Sequence, residues 1–458
     1  MLTGTHFPKS AVNKGVSEIT VTQKVDHFDA LSTDTWSQRV FINDTYFNAA
    51  TGIIFFLLGG EGPMGSSSVT DHFILAKYAQ QFGALIVGAE HRYYGGSNPT
   101  PTLNVEQGLR YLSTEQALED FATVRNFVVD KYLSHARDTA KVVAFGGSYS
   151  GNLASWIRAK YPHLFVGALA SSSPVLAKVD FHEYMQVVFR SVGTSCGNTM
   201  RAATNEYERM AQTEEGRKRL DSLFKTCKPL TLDANNLGTF FSSIADPVCG
   251  VVQYNNDNNK YSGSWNITKM CQTVTGGPTP VDGYANFVNQ YAEFLGEDCI
   301  TSTYEDYLNE LKNEKTFDQG NLAAAGRSWV YQTCSEFGYY QHAEGGDQPF
   351  STKYLTANWF LQQCKDIYGL DVATVAPAVK AINQRYGGDM PAFTDKIFFS
   401  NGDVDPWHAL RVRSSAAQTS LMHGTAHCAD LYPARDSDVS DLKSTREVFL
   451  SKLKQWLM

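Results

Sequence analysis

The sequence predicts an α/β fold, in which a parallel sheet covered by helices is interrupted by a long, mostly helical insertion. Continuous apolar runs at 53–58, 84–89 and 141–145 are typical of strands buried on both faces. A helical pattern separates the last two runs, and a fourth apolar run follows at 397–400. Strand, helix and strand in this order favour parallel pairing.

Two segments predict helices that cover the sheet. The first begins with a capping-box pattern, Ser113 followed by Gln116, and its apolar residues recur at helical spacing: Leu118, Phe121, Ala122, Val124, Phe127 and Val128. The second ends the chain and carries Leu442, Val448, Phe449, Leu453, Trp456 and Leu457.

The sequence changes character near residue 178. The stretches 206–224 and 284–311 are polar with scattered apolar positions, and loops rich in Gly, Asn and Asp, such as 254–259, separate such stretches. A chain of 458 residues also exceeds one ordinary core. We therefore expect the sheet domain to occupy 1–177 and 386–458, with the helical insertion at 178–385.

Composition excludes several classes of protein. The chain is 43% hydrophobic and 19% charged, as in globular proteins, and its net charge of −8 argues against binding nucleic acid. It has no apolar run of the roughly 18 residues that a membrane span needs. Because there is no CxxC pair and no Cys/His group with zinc spacing, we expect neither a metal nor a cofactor.

Cysteines and sequons bear on the compartment. An even number of cysteines, together with the sequons at Asn43 and Asn266, favours disulfides in the secretory pathway. The start of the chain lacks the layout of a signal peptide, so either the protein is cytosolic or a leader has been removed. The cysteines are Cys196, Cys227, Cys249, Cys271, Cys299, Cys334, Cys364 and Cys428.

Residues 145–154 contain the candidate nucleophile, Ser148. An apolar strand leads into Gly146-Gly147-Ser148, and a helical pattern follows at once, which is the context of a nucleophile elbow. The N–H of Tyr149 would then point at the developing oxyanion. Ser150 stands where the motif has its last glycine, and it is the rival nucleophile. The alternative is a glycine-rich turn that binds phosphate or nothing.

The acid and the base are expected after the strand at 397–400. Asp405 and His427 match the expected order, with the base about 20 residues after the acid and just before the last helix. A serine hydroxyl needs an imidazole to accept its proton, and a carboxylate to orient that imidazole. The residues alone leave alternatives open: Asp403 as the acid, and His423 or His408 as the base.

The glycine-rich stretch 58–63 follows the first buried strand. We expect Gly62 to supply the second N–H of the oxyanion hole, although the stretch could be only a turn. The neighbouring Glu61 would place a carboxylate at the rim of the site, where it would meet a substrate amine or His427.

With these residues in place, the chain resembles the serine peptidase family that includes lysosomal Pro-X carboxypeptidase, dipeptidyl peptidase II and thymus-specific serine protease. Ser150-Gly151 and His427-Cys428 resemble the thymus-specific branch most. The segments that carry the resemblance span nearly the whole chain: 26–28, 38–41, 60–62, 90–95, 146–149, 329–334 and 401–407.

The resemblance implies an α/β-hydrolase fold with a helical, disulfide-bearing cap, and Ser148, Asp405 and His427 as the catalytic triad. It also implies a removed leader and a lysosomal or secreted protein. Pairing of Cys334 with Cys364 would follow the family pattern. Spacing suggests Cys196 with Cys271 and Cys227 with Cys299, and the remaining Cys249 and Cys428 could bridge the cap to the catalytic loop.

One position departs from the family. Pro-X carboxypeptidase has a methionine, which looks like part of its proline pocket, where this chain has Asn152. Trp407 could still form one wall of that pocket. We therefore expect a serine exopeptidase that hydrolyses peptides near proline or small residues and allows a homodimer. The rival hypotheses are an esterase or lipase of the same fold and an inactive binding relative.

Overall fold

A computed structural model describes residues 15–256 and 265–458. The start of the chain and residues 257–259 of the predicted loop lie outside this range. The strands of the described residues are β1 Val16–Lys24, β2 Thr35–Asn43, β3 Ile53–Leu58, β4 Leu85–Ala89, β5 Lys141–Gly147, β6 Gly167–Ser171, β7 Lys178–Asp180, β8 Gly338–Tyr340, β9 Ile397–Gly402 and β10 Gln418–Met422.

The α-helices of the same residues are α1 Leu75–Phe82, α2 Thr114–Tyr132, α3 Tyr149–Lys160, α4 Glu183–Ala211, α5 Glu214–Phe224, α6 Ala234–Gln253, α7 Ile267–Thr275, α8 Pro280–Leu295, α9 Tyr304–Leu311, α10 Ala324–Gln332, α11 Ala357–Tyr368, α12 Val375–Tyr386 and α13 Ser440–Leu457. None of these described helices is both long enough and apolar enough to cross a bilayer.

The main sheet has eight strands in the order β1-β2-β4-β3-β5-β6-β9-β10. All neighbours from β4 to β10 pair in parallel, whereas β1 and β2 pair with each other, and β2 with β4, in antiparallel register. All six residues of β3 and all five of β4 are buried, as their apolar runs predict. This arrangement confirms the predicted α/β-hydrolase fold.

Helices α4 to α12 lie between β6 and β9 in the sequence, as predicted for the insertion. The short parallel pair β7–β8 forms a second sheet inside this region. The limits of the insertion at 178 and 385 stay predictions. Three disulfides of the insertion form as predicted: Cys196–Cys271, Cys227–Cys299 and Cys334–Cys364.

The predicted bridge between Cys249 and Cys428 is wrong, because both are buried free thiols. The Cys249 sulfur lies 3.8 Å from the Met185 sulfur, within the helices of the insertion. The Cys428 sulfur instead faces the backbone of Gly147, where an added Cβ would lie only 2.8 Å from it. The two sulfur atoms therefore lie in different surroundings and form no disulfide with each other.

Glycosylation at Asn43 does not fit the structure either. The side chain is buried at the end of β2, its amide donates to the Val69 carbonyl at 2.7 Å, and its oxygen accepts from the Thr45 N–H at 3.0 Å. A glycan needs that amide nitrogen at the surface. Asn266 is half-buried and caps α7, and its glycosylation stays a prediction.

Glu90 is a buried carboxyl in the loop after β4. It accepts hydrogen bonds from the Met64 N–H and the Ser97 hydroxyl, and it pairs with Arg39 at 3.1 Å. Burial raises the pKa of Glu90 to about 7, against the opposing effect of Arg39. In the unfolded chain a glutamate has a pKa of about 4.3. Between about pH 4.3 and about pH 7, the folded state therefore binds more protons at Glu90 than the unfolded state does.

The contribution of Glu90 to the free energy of unfolding should therefore decrease as the pH rises through this interval. We expect Glu90→Gln to remove this contribution and to make the fall of Tm with rising pH shallower between about pH 5 and pH 7. Thermal unfolding at a series of pH values measures the slope. The exposed Glu106→Gln is the control and should keep the wild-type slope. An unchanged slope in Glu90→Gln would contradict the assignment.

Candidate active site

The turn that carries the candidate nucleophile, Ser148, lies between β5 and α3. Because β5 ends at Gly147 and α3 begins at Tyr149, Ser148 alone makes the turn. Its backbone has a φ of 59° and a ψ of −133°, and positive φ is uncommon for a residue other than glycine. Strained backbone of this kind concentrates at active sites. The structure thus contains the strand, turn and helix that the sequence predicts around Ser148.

The two glycines before Ser148 are required by close packing. A Cβ at Gly146 would lie 2.0 Å from the Ser150 carbonyl oxygen. A Cβ at Gly147 would lie 2.5 Å from Leu431 Cδ1 and 2.8 Å from Cys428 Sγ. The residues on either side of the turn therefore leave no room for a side chain at these two positions.

Ser150, the rival nucleophile, points elsewhere. Its hydroxyl donates to the Leu58 carbonyl oxygen of β3 at 2.6 Å, and the residue is buried. It also lies against the loop after β3, since a Cβ at Gly60 would come within 3.2 Å of Ser150 Cβ. The Ser150 hydroxyl thus holds this loop next to the turn.

Asp405 and His427 form a buried pair. Asp405 Oδ2 lies 2.8 Å from His427 Nδ1, and both side chains are almost fully enclosed. Asp405 also accepts a hydrogen bond from the Trp407 N–H at 2.9 Å, which fixes its carboxylate. Burial opposes a charge on His427, but Asp405 and Cys428 outweigh it, so the pKa of His427 lies well above its usual value.

The alternative pair, Asp403 and His423, lies at the surface. Their side chains meet at 2.9 Å, and the exposed fraction is 34% for Asp403 and 71% for His423. The third candidate base, His408, is buried, and its Nδ1 lies 2.6 Å from the Asp405 carbonyl oxygen rather than from the carboxylate. Of these candidates, only His427 combines burial with a bond to a buried carboxylate.

The insertion contacts the His427 loop through Gln253, the last residue of α6. The Gln253 carbonyl accepts from the His427 N–H at 2.9 Å, and its side-chain oxygen accepts from Trp407 Nε1 at 2.9 Å and from the Tyr184 hydroxyl at 2.8 Å. This role could not be predicted from the sequence, since no motif surrounds Gln253.

Asp430, three residues after His427, binds the loop that carries His427 to the sheet. Its carboxylate accepts from the Ser171 hydroxyl at the end of β6 at 2.5 Å and from the Ser400 hydroxyl of β9 at 2.6 Å. Arg446 of α13 donates to the carbonyls of Ala429 and Tyr432 at 2.9 and 3.0 Å. The loop that carries His427 is therefore fixed by the sheet, by the last helix and by the insertion.

Glu61 is the carboxyl that the sequence predicts at the rim of the site. Burial raises the pKa of its carboxyl, while the positive charge of His427 and a hydrogen bond with Ser148 lower it. These causes indicate a carboxyl near His427 and Ser148, and the role of Glu61 at the rim of the site stays a prediction. A Cβ at the neighbouring Gly62 would have no atom within 4 Å, so there is open space beside this residue.

Aromatic rings surround Trp407. Its ring centroid lies 5.4 Å from that of Phe181, 5.8 Å from that of Tyr184 and 5.3 Å from that of Tyr339. No sequence motif points to Tyr339. Its φ of 62° is another positive value, which the sequence does not predict.

Asn152 is the residue for which the sequence predicts a contact with the substrate. It is fully buried one turn after Ser148, and its amide donates to the Pro174 carbonyl at 3.1 Å and to the Tyr339 hydroxyl at 3.3 Å. The side chain is enclosed by the protein, and its contact with a substrate stays a prediction. Through its hydrogen bond, Asn152 also holds the hydroxyl of Tyr339, whose ring packs against that of Trp407.

Asp180, His182 and His342 form the one group of described residues whose ligand atoms lie close enough to hold a metal ion. Asp180 Oδ1 lies 2.6 Å from His182 Nδ1 and 2.9 Å from His342 Nε2. The Glu344 N–H donates to His342 Nδ1 at 3.2 Å, so the ring proton of a neutral His342 sits on Nε2. That nitrogen then donates to Asp180 and has no free lone pair, so the group is explained by hydrogen bonding alone.

Comparison with known proteins gives one family. The model of the family described as serine carboxypeptidase S28 matches residues 23–449. The chain is 34% identical to the human thymus-specific serine protease over 95% of this chain and 85% of that protein. It is 30% identical to the lysosomal Pro-X carboxypeptidase of Bos taurus over 95% and 87%. Among solved structures, it is similar to a proline iminopeptidase of Mycobacterium smegmatis, with 12% identity, coverage of 95% and 99% and a TM-score of 0.38.

Proposed function

Because the chain belongs to the serine carboxypeptidase S28 family, and is therefore a serine peptidase, we propose that it shortens peptides from one end through an acyl-enzyme on Ser148. The observation that carries this proposal is the buried pair of Asp405 and His427, whose loop packs against the strained turn: a Cβ at Gly147, directly before Ser148, would lie 2.8 Å from Cys428 Sγ, directly after His427. A serine peptidase uses a serine as its nucleophile and a histidine, oriented by a carboxylate, as its base.

The proposed reaction has two halves. The Ser148 hydroxyl attacks the peptide carbonyl carbon and gives its proton to His427, whose Nδ1–H is held by Asp405. Collapse of the tetrahedral intermediate breaks the C–N bond, and His427 returns the proton to the leaving amine. Water then attacks the ester by the same route and releases the acid product. The N–H groups of Tyr149 and Gly62 are proposed to stabilise the oxyanion.

Two side chains are proposed to act on the substrate. The pKa of Glu61 responds to Ser148 and His427, and its carboxylate, when ionised, would attract the free amine of a short peptide. Trp407 is proposed as one wall of the pocket for the residue before the scissile bond. The relatives named Pro-X carboxypeptidase support a proline preference, and a flat aromatic wall suits a proline ring.

Three disulfides and the lysosomal relatives support residence in a lysosome or secretion. The predicted leader, the homodimer and glycosylation at Asn266 stay part of this proposal.

A mixed peptide library tests the function. Mass spectrometry of the products at acidic and neutral pH should show peptides shortened from one end, with proline or a small residue next to the cleaved bond. Cleavage in the middle of long peptides, or turnover of carboxylic esters without any turnover of peptides, would contradict the proposal.

The same library measures the role of Trp407. We expect Trp407→Ala to lower kcat/KM for proline substrates about tenfold more than for alanine substrates, because alanine has little surface to lose against the wall. Trp407→Phe keeps a ring and should retain most of the preference. Equal losses on both substrates would exclude Trp407 from the pocket.

A further inference from the structure

The ring of Tyr149, the residue after the proposed nucleophile, is held by the insertion. It is buried, and its centroid lies 5.6 Å from that of Trp329 and 5.3 Å from that of Phe337. Both residues belong to one continuous segment, the end of α10 and the π-helix Thr333–Phe337 that follows it. Short π-helices are frequent at functional sites.

The Tyr149 hydroxyl lies in a directional chain of hydrogen bonds. Burial lowers the pKa of His91 to about 4, so its ring is neutral, and its Nδ1–H donates to the Arg92 carbonyl at 2.7 Å. The free Nε2 must then accept from the Tyr149 hydroxyl at 3.0 Å. The phenol oxygen in turn accepts from Gln332 Nε2 at 3.1 Å.

Gln332 is the centre of this chain, and it is fully buried. Its oxygen accepts from the Tyr94 hydroxyl at 2.6 Å, and its amide donates to Glu336 at 2.8 Å as well as to Tyr149. Glu336 also accepts from the Thr114 N–H at 3.0 Å, at the start of α2. All the hydrogen-bonding groups of the Gln332 amide are thereby used, so its position is fixed from several sides.

These contacts join the insertion to the turn that carries Ser148. The backbone of Tyr149 begins α3, and its N–H is the proposed oxyanion donor. Since the side chain of Tyr149 is clamped, its backbone has little freedom to rotate. The strained φ of Ser148 needs such support from its surroundings.

We propose that Gln332 is a positioning residue for the reaction: through the Tyr149 ring it holds the Ser148 turn and the N–H that follows it. One side chain of the insertion then sets the geometry of the nucleophile. This inference rests on the proposed role of Ser148 and of the Tyr149 N–H.

Gln332→Leu, which keeps the approximate volume, tests the proposal. We expect kcat to fall about tenfold or more, with KM changed less than about twofold, because the oxyanion geometry matters in the transition state. Phosphonylation of Ser148 by a fluorophosphonate should slow in parallel, since that reaction also passes through a charged phosphoryl oxygen but does not depend on peptide binding. Tyr149→Phe, which removes only the hydroxyl, should change both rates in the same direction.

Gln363→Leu is the matched control. Gln363 is likewise a buried glutamine of the insertion whose oxygen accepts from a tyrosine hydroxyl, that of Tyr307 at 3.1 Å. It should lower Tm to a similar extent and leave both rates unchanged. Wild-type kcat and labelling rates in folded Gln332→Leu, or in Tyr149→Phe if the first variant does not fold, would overturn the proposal. Ser148 would remain labelled in that case, so the proposed function would stand.

Discussion

Ser148→Ala should reduce peptide hydrolysis by about 10⁶-fold, to the level that binding and the oxyanion donors alone support. The loss is large because no other described hydroxyl occupies the strained turn between β5 and α3. The fold should survive, since alanine is smaller than serine and meets the same backbone strain. Steady-state kinetics on a short peptide, with thermal unfolding of the same sample, measures both effects.

Ser150→Ala is the matched control. It removes a hydrogen bond to the Leu58 carbonyl, which costs about 1 kcal/mol of stability, but it leaves Ser148 in place. A fluorophosphonate should label Ser150→Ala at residue 148 and should not label Ser148→Ala. Labelling at residue 150 would show that Ser148 is not the nucleophile.

Asp405→Asn should lower kcat by about 10⁴-fold with little change in the fold. An asparagine amide can donate a hydrogen bond to His427 Nδ1, which would place the ring proton on Nε2, the nitrogen that must accept the proton of Ser148. The variant therefore holds the base in the wrong tautomer. A pH–rate profile should show activity recovering partly at high pH, where hydroxide can take over from the base.

Asp403→Asn tests whether burial makes the difference between the two pairs. It lies in the same turn, two residues away, and it bonds to His423 much as Asp405 bonds to His427. Because this second pair is exposed, we expect kcat to remain within about twofold of wild type. A loss in Asp403→Asn as large as that in Asp405→Asn would mean that the whole turn, rather than one carboxylate, supports the activity.

Part of the fold could be predicted because it depends on local patterns. The apolar runs of β3, β4 and β9 are continuous, and their strands lie where the runs predict them. The edge strand β1 could not be predicted in this way, since most of its residues are at least partly exposed and its apolar content is low. Edge strands carry less of the burial signal on which prediction from sequence relies.

The site was predictable in its order along the chain and less so in its packing. The elbow at Ser148 follows from a strand, glycines and a helix in succession. Asp403 and Asp405 could not be separated from the residues alone, because only the folded turn buries one and exposes the other. The even number of cysteines wrongly suggested that all of them form disulfides, whereas Cys249 and Cys428 are free thiols. The number of cysteines does not show which sulfur atoms lie close together in the folded protein.

The tight packing at Gly147 restricts how this enzyme could be redesigned. Any side chain introduced at this position, directly before Ser148, would place its first carbon 2.5 Å from Leu431 Cδ1 and 2.8 Å from Cys428 Sγ. To accept a larger residue at Gly147, the protein would first need smaller side chains at Leu431 and Cys428, in the loop that carries His427.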